Sequence, residues 1–127
     1  MEFIRKEDIP ELSNPGVVSR QLLNPDSAPD ARFTVTEVRL EAGASQPRHT
    51  HGGSEQVWYA VRGTGTLLLG DGRETPFRAG DVVRFAPGEV HGLFNGGGGR
   101  FVYVSVTSPP LRFDAAYREK RDPRDKP

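Results

Sequence analysis

A chain of 127 residues fits one domain of ordinary size, large enough for a core without covalent staples. Its 17 basic and 17 acidic side chains cancel, which argues against a nucleic-acid partner, whose affinity rests on a basic footprint. The absence of cysteine excludes disulfides, thiolate metal sites and Cys nucleophiles, and no apolar run approaches the roughly 20 residues of a membrane span.

The opening stretch, Met1-Glu2-Phe3-Ile4-Arg5-Lys6-Glu7-Asp8, is charged and lacks the apolar centre of a signal peptide, so a cytoplasmic location is expected. Residues 1–16 read as an irregular or edge segment ending in the turn Asn14-Pro15-Gly16. Val17–Leu23 reads as a first strand, stopped by Asn24-Pro25-Asp26. Arg32–Leu40 is rich in β-formers, with Thr34, Thr36, Val38 and Leu40 on one face. Gln56–Val61 is apolar on both faces and is expected to be covered on both.

Gly63-Thr64-Gly65 turns the chain into Thr66–Leu69, and Asp71-Gly72 predicts a type I′ hairpin returning through Glu74–Phe77. Val82–Phe85 is a strand closed by Pro87-Gly88, and Val90–Phe94 is another, followed by a loose hairpin of Asn95 and four glycines. Phe101–Val106 is the last long strand. Phe101, Tyr103 and Ser105 share one of its faces, and either face could line a pocket. Residues 113–120 predict one short helix, and 121–127 a disordered charged tail. Short strands between regular turn signals, with no competing helix before residue 113, predict an all-β sandwich or small barrel.

Two of the three histidines, His49 and His51, are separated by one residue. On a strand such a pair points to one side, as a first-row metal requires. The third, His91, heads another predicted strand. With all three assigned to a metal, no Ser-His-Asp arrangement remains, and no Gly-rich phosphate loop precedes a helix. Arg48 and Arg39 are candidates for positive charge at a pocket mouth. Trp58 and Tyr103 are candidate pocket walls, and Asn95 is expected to cap its turn.

Gly43-x5-His49-x-His51-x4-Gln56-x6-Gly63 resembles the first signature motif of the cupins, and Gly80-x6-Pro87-Gly88-x2-His91-x3-Asn95 resembles the second. The resemblance implies a jelly-roll barrel (a double-stranded β-helix) over 32–112, an N-terminal arm and edge strand over 1–31, and a short helix and tail over 113–127. It implies a homodimer formed through the N-terminal strand. It also implies one divalent metal ion (Zn, Ni, Mn, Fe or Cu) held by His49, His51, His91 and a carboxylate.

The carboxylate position departs from the family. Counting back from Gly63 places it on Gln56, and counting forward from His51 by the shorter spacing places it on Glu55. The two face opposite sides of a strand. Gln56 is preferred, because Gly52-Gly53 offers a flexible place to absorb one extra residue. A neutral set of three histidines and a glutamine leaves the ion its full double charge, which favours Lewis-acid work on a small oxygenated molecule such as a sugar or uronate derivative. Compact uronate-linearising cupins with a glutamine ligand share a pattern like Gly16-Val17-Val18-Ser19-Arg20 and, more loosely, Thr107–Arg112. The alternatives are a metal-dependent dioxygenase and a non-catalytic ligand-binding module.

Overall fold

In the computed structural model, which describes residues 1–123, the chain folds into eleven strands in two sheets. The larger has the order β11-β1-β2-β3-β10-β5-β8 and the smaller the order β4-β9-β6-β7. In chain order the strands are β1 (Glu11–Asn14), β2 (Val17–Leu23), β3 (Thr34–Leu40), β4 (Ser45–His49), β5 (Glu55–Arg62) and β6 (Thr64–Leu69). They continue with β7 (Glu74–Arg78), β8 (Val82–Phe85), β9 (His91–Phe94), β10 (Phe101–Ser108) and β11 (Glu119–Arg121). All paired strands run antiparallel. This is the jelly-roll architecture.

Alternation along β3 decides its two faces. Thr34, Thr36, Val38 and Leu40 are buried, while Val35, Glu37 and Arg39 turn outward. β10 is read the same way, with Phe101, Tyr103, Ser105 and Thr107 facing inward. Leu40, Ala60, Leu67, Phe77, Leu93 and Phe101 pack between the sheets as an apolar core. Burying such side chains stabilises each by about 1.5–3 kcal/mol.

Asp71 (φ 60°, ψ 30°) and Gly72 (φ 71°) form the expected type I′ corner between β6 and β7, closed by Arg73 N–H donating to the Gly70 carbonyl at 3.2 Å. Gly63 is required where β5 passes into β6. Its φ is +90°, and a Cβ there would lie 2.7 Å from the Arg100 carbonyl oxygen.

Several expectations are corrected. Residues 113–120 do not form a helix. Asp114–Ala116 make one 3-10 turn, and β11 pairs with β1 through Leu12 opposite Lys120. A helix of eight residues is marginal on its own, and the free edge of β1 offers backbone partners that outweigh it. The charged-tail expectation now begins with Arg121 inside β11, and residues 124–127 lie outside the described residues. The segment before Val17 contains β1 and a 3-10 turn, Lys6–Asp8.

β5 is covered on one face only. Gln56, Trp58 and Ala60 are buried, whereas Val57, Tyr59 and Val61 are exposed. An apolar run thus signalled one buried face and one sticky outer face. The glycine run is not a hairpin, because β9 and β10 belong to different sheets and Gly96–Gly99 carries the chain between them. Asn95, fully buried, anchors this crossover by donating to the Leu40 and Gly99 carbonyls and accepting from Gly97 N–H.

Candidate metal centre

The three histidines meet at one end of the barrel. One ring nitrogen from each lies within 4.8 Å of the others, and the ring centroids are 4.3 to 5.2 Å apart. His49 and His51 do not share a strand face as expected. β4 ends at His49, and His51 lies in the turn that follows.

Convergence comes instead from an irregularity in β4. Gln46 pairs with Leu93 and His49 with His91, so one residue more separates the pair on β4 than on β9. Gly92 permits it. A Cβ at Gly92 would sit 2.7 Å from the Gln46 carbonyl oxygen and 3.0 Å from the Arg48 nitrogen. The turn is then fastened by Gly88 N–H donating to the His51 carbonyl at 3.0 Å, which ties it to the chain just before His91.

Each ring is oriented by its surroundings. His49 Nδ1 lies 2.8 Å from the Pro47 carbonyl oxygen and His91 Nδ1 lies 2.9 Å from that of Glu89. A proton on each Nδ1 donates to the carbonyl and leaves Nε2 a bare lone pair, the arrangement that orients metal-ligating histidines. Phe85 stacks on His91 at 4.6 Å and Trp58 meets it edge-on at 5.4 Å. Nε2 of His51 and of His91 are buried without a hydrogen-bond partner. Unsatisfied buried nitrogens are costly, and a divalent ion at the meeting point would satisfy both.

Burial pushes His91 down to about 4, with a smaller push from His49. Burial, then His49, also lowers His51. Neutral imidazoles are the ligand form, so the donor set fits a divalent ion.

Gln56 and Glu55 part company. Glu55 pairs with Arg84 at 2.6 Å on the outer side of the large sheet. Gln56 is buried among the residues lining the cavity beside the histidines. Its oxygen accepts from Trp58 Nε1 at 3.0 Å, and its amide nitrogen donates to Thr107 Oγ1 at 2.9 Å. One lone pair of that oxygen remains.

The cavity measures about 270 Å³. Trp58 and Tyr103, stacked at 4.3 Å, form part of its wall. Arg48 borders it, but its guanidinium donates to the Leu69 and Arg73 carbonyls at the β6–β7 hairpin. Arg39 does not reach the cavity, because it pairs with Glu37 at 2.7 Å on the outer face of β3.

Three contributors went unnoticed in the sequence: Gln46, Phe113 and Tyr117. Tyr103 donates to Gln46 Oε1 at 2.5 Å, and Gln46 Nε2 donates to the Tyr117 hydroxyl at 3.1 Å. Phe113 meets His51 at 5.8 Å. Only the two aromatics Phe113 and Tyr117, set among charged residues and two alanines, hinted at buried contacts here.

A double-stranded β-helix with histidines converging inside one end defines the class. The chain belongs to the cupin family, whose Cupin domain model matches residues 36–107. It is 27% identical over 85 residues to an oxalate-binding protein of Thermotoga maritima, spanning 67% of this chain and 69% of that one. Among solved structures, an uncharacterized conserved protein with a double-stranded beta-helix domain from Klebsiella pneumoniae is 28% identical. It covers 77% of this chain and 81% of its own, with a TM-score of 0.69. A predicted oxalate decarboxylase from Thermotoga maritima is 25% identical, covering 86% and 99%, with a TM-score of 0.72. No helix among the described residues is long and apolar enough to cross a membrane.

Proposed function

We propose that this cupin holds one divalent metal ion on His49, His51 and His91, with Gln56 completing the set, and acts on a small oxygenated organic molecule without redox chemistry. The observation that carries this is the pair of buried, unpartnered Nε2 atoms on His51 and His91, within reach of His49. When bound, the ion would act as a Lewis acid on a carbonyl or hydroxyl oxygen. The chain's own residues do the rest. The Pro47 and Glu89 carbonyls hold the Nδ1 protons of His49 and His91, while Trp58 and Thr107 hold the Gln56 amide in a single orientation. Trp58 and Phe113 narrow the space around the imidazoles and limit water.

The test is metal content of untagged protein by plasma mass spectrometry. His49→Ala combined with His51→Ala should lose the metal, Gln56→Ala should lower its occupancy several-fold, and Glu55→Ala should retain it. Retention by the double histidine variant would sink the proposal. Loss in Glu55→Ala with retention in Gln56→Ala would reassign the fourth ligand. Substrate-dependent oxygen uptake by an Fe(II)-loaded protein would replace the non-redox chemistry with that of a dioxygenase.

The likeness to an oxalate-binding protein favours a second reading, in which the same centre binds its ligand without turning it over. Ligand recovered unchanged after prolonged incubation with the metal-loaded protein would select that reading. The proposal also includes a homodimer, supported by the exposed apolar side chains Val57, Tyr59, Val61, Val82 and Val106 on neighbouring strands of the large sheet.

A further inference from the structure

The inner face of the large sheet is divided. Towards one end it is apolar, with Leu40, Ala60 and Phe101. Towards the histidines it turns polar on four adjacent strands while staying buried. β2 contributes Ser19 and Gln21, β3 contributes Thr34 and Thr36, β10 contributes Ser105 and Thr107, and β5 contributes Gln56. The register places Gln21, Thr36, Ser105 and Trp58 in one row across these strands. Buried hydroxyls and amides cost free energy unless they bond to something, and Thr34 Oγ1 is left without a partner even here.

Ser19, Thr36, Ser105, Gln46, Tyr103 and Tyr117 from this region border the cavity. Their bonds form a chain with capacity to spare. Tyr103 donates to Gln46 Oε1, which leaves the Tyr103 oxygen able to accept. Gln46 donates one amide hydrogen to Tyr117 and keeps the second. Ser19 and Tyr117 both line the cavity, and Gln21 braces Ser19 from behind by donating to its Oγ at 2.9 Å. Burial raises the pKa of both tyrosines, so each hydroxyl keeps its proton near neutral pH.

Charge is the second constraint. Among the described residues no carboxylate lines the cavity, and the one arginine or lysine that borders it, Arg48, is turned to backbone carbonyls outside. Three neutral imidazoles and an amide would leave a divalent ion with its whole charge, with no acidic side chain among the described lining residues to offset it. The ligand must bring the negative charge.

We propose that the wall formed by Ser19, Gln46, Ser105, Tyr103 and Tyr117 is a hydroxyl-recognition subsite, and that the ligand is a small monocarboxylate bearing several hydroxyl groups. The inference rests on the metal-centre reading above. The carboxylate sits at the histidine end, and the hydroxyls, each donor and acceptor at once, meet the mixed capacity of the wall. A second, remote carboxylate finds no cation there and is disfavoured. A purely aliphatic tail leaves the wall's polar groups unpaired.

The experiment is calorimetric titration of the Zn²⁺-loaded full chain with gluconate, 2-hydroxyhexanoate, glucarate and sorbitol. The second keeps the carboxylate and adjacent oxygen but lacks the remote hydroxyls. The third adds a remote charge, and the fourth removes the carboxylate. Gluconate should bind at least about tenfold more tightly than each of the others, the scale of one unmade hydrogen bond. Ser105→Ala and Gln46→Met should erase the preference over 2-hydroxyhexanoate while leaving zinc content unchanged. If Gln46→Met fails to fold, Ser105→Ala decides alone. Equal affinity for 2-hydroxyhexanoate, glucarate or sorbitol overturns the assignment, as does zinc uptake with no gluconate binding. Failure to take up zinc overturns the metal centre itself and the subsite with it.

Discussion

A second proton on His91, at the buried Nε2, finds no acceptor, and the Glu89 carbonyl at Nδ1 only partly offsets the cost of burying the charge. The ring is buried against Phe85 and Trp58, His49 lies beside it, and its Nδ1 already faces the Glu89 carbonyl. Its folded value of about 4 lies below the ordinary 6.5, so the unfolded chain binds that proton more readily. The metal-free protein should therefore hold its full stability above pH 6.5 and lose it progressively as pH falls towards about 4. Urea midpoints of metal-free protein at several pH values read this directly. His91→Phe should flatten that slope, and an equally steep fall in the variant would assign the effect to other groups. At this scale the candidate ligands were legible from spacing, because histidines are few in this chain. The reason they meet was not. It lies in the irregular pairing of β4 against Gly92, and nothing in the order Gln46-Pro47-Arg48-His49 announces where the extra residue falls.

Among the elements, strands were read well wherever the evidence was local. The alternation of Thr34 to Leu40 and the Asp71-Gly72 corner are decided by residues within a few positions of one another. The C-terminal segment was misread because its partners are distant. Arg118 N–H donates to the Ser13 carbonyl, Asn14 Nδ2 donates to the Ala116 carbonyl, and Tyr117 meets Gln46, 71 positions away. Phe113, Ala116 and Tyr117 of this segment line the cavity, and its last element, β11, pairs only with β1. All three residues of β11 are exposed, and its ion pair, Lys120 to Asp114 at 3.4 Å, lies in solvent where such pairs contribute little. Hydrogen exchange should show the amides of β11 opening at a free energy well below those of β3 and β10, which are hydrogen-bonded to a neighbouring strand along both edges. Exchange of β11 at the global rate would mean that the strap unfolds only with the barrel.

For the molecule as a whole, the exposed face of β5 is the feature that the apolar run concealed. Val57, Tyr59 and Val61 point away from the core, with Val82 of β8 and Val106 of β10 beside them. Under the proposed homodimer these side chains leave water at the contact between copies. Tyr59→Glu with Val61→Glu should convert a dimer into a folded monomer in sedimentation velocity. A dimer that survives both substitutions would move the contact elsewhere, the N-terminal strand being the first place to look. Pattern in one strand shows that a residue is apolar, and only the neighbouring layer shows whether it is covered.

The divided interior has a consequence for how such a protein can diverge. The apolar pole, around Leu40, Phe77 and Phe101, lies in the packed core, while the contacts proposed to discriminate among ligands lie at the polar pole. Exchanges among serine, threonine, glutamine and tyrosine at the second pole change which molecules fit while leaving the first untouched. A barrel built this way can drift in what it recognises over many generations and remain the same barrel.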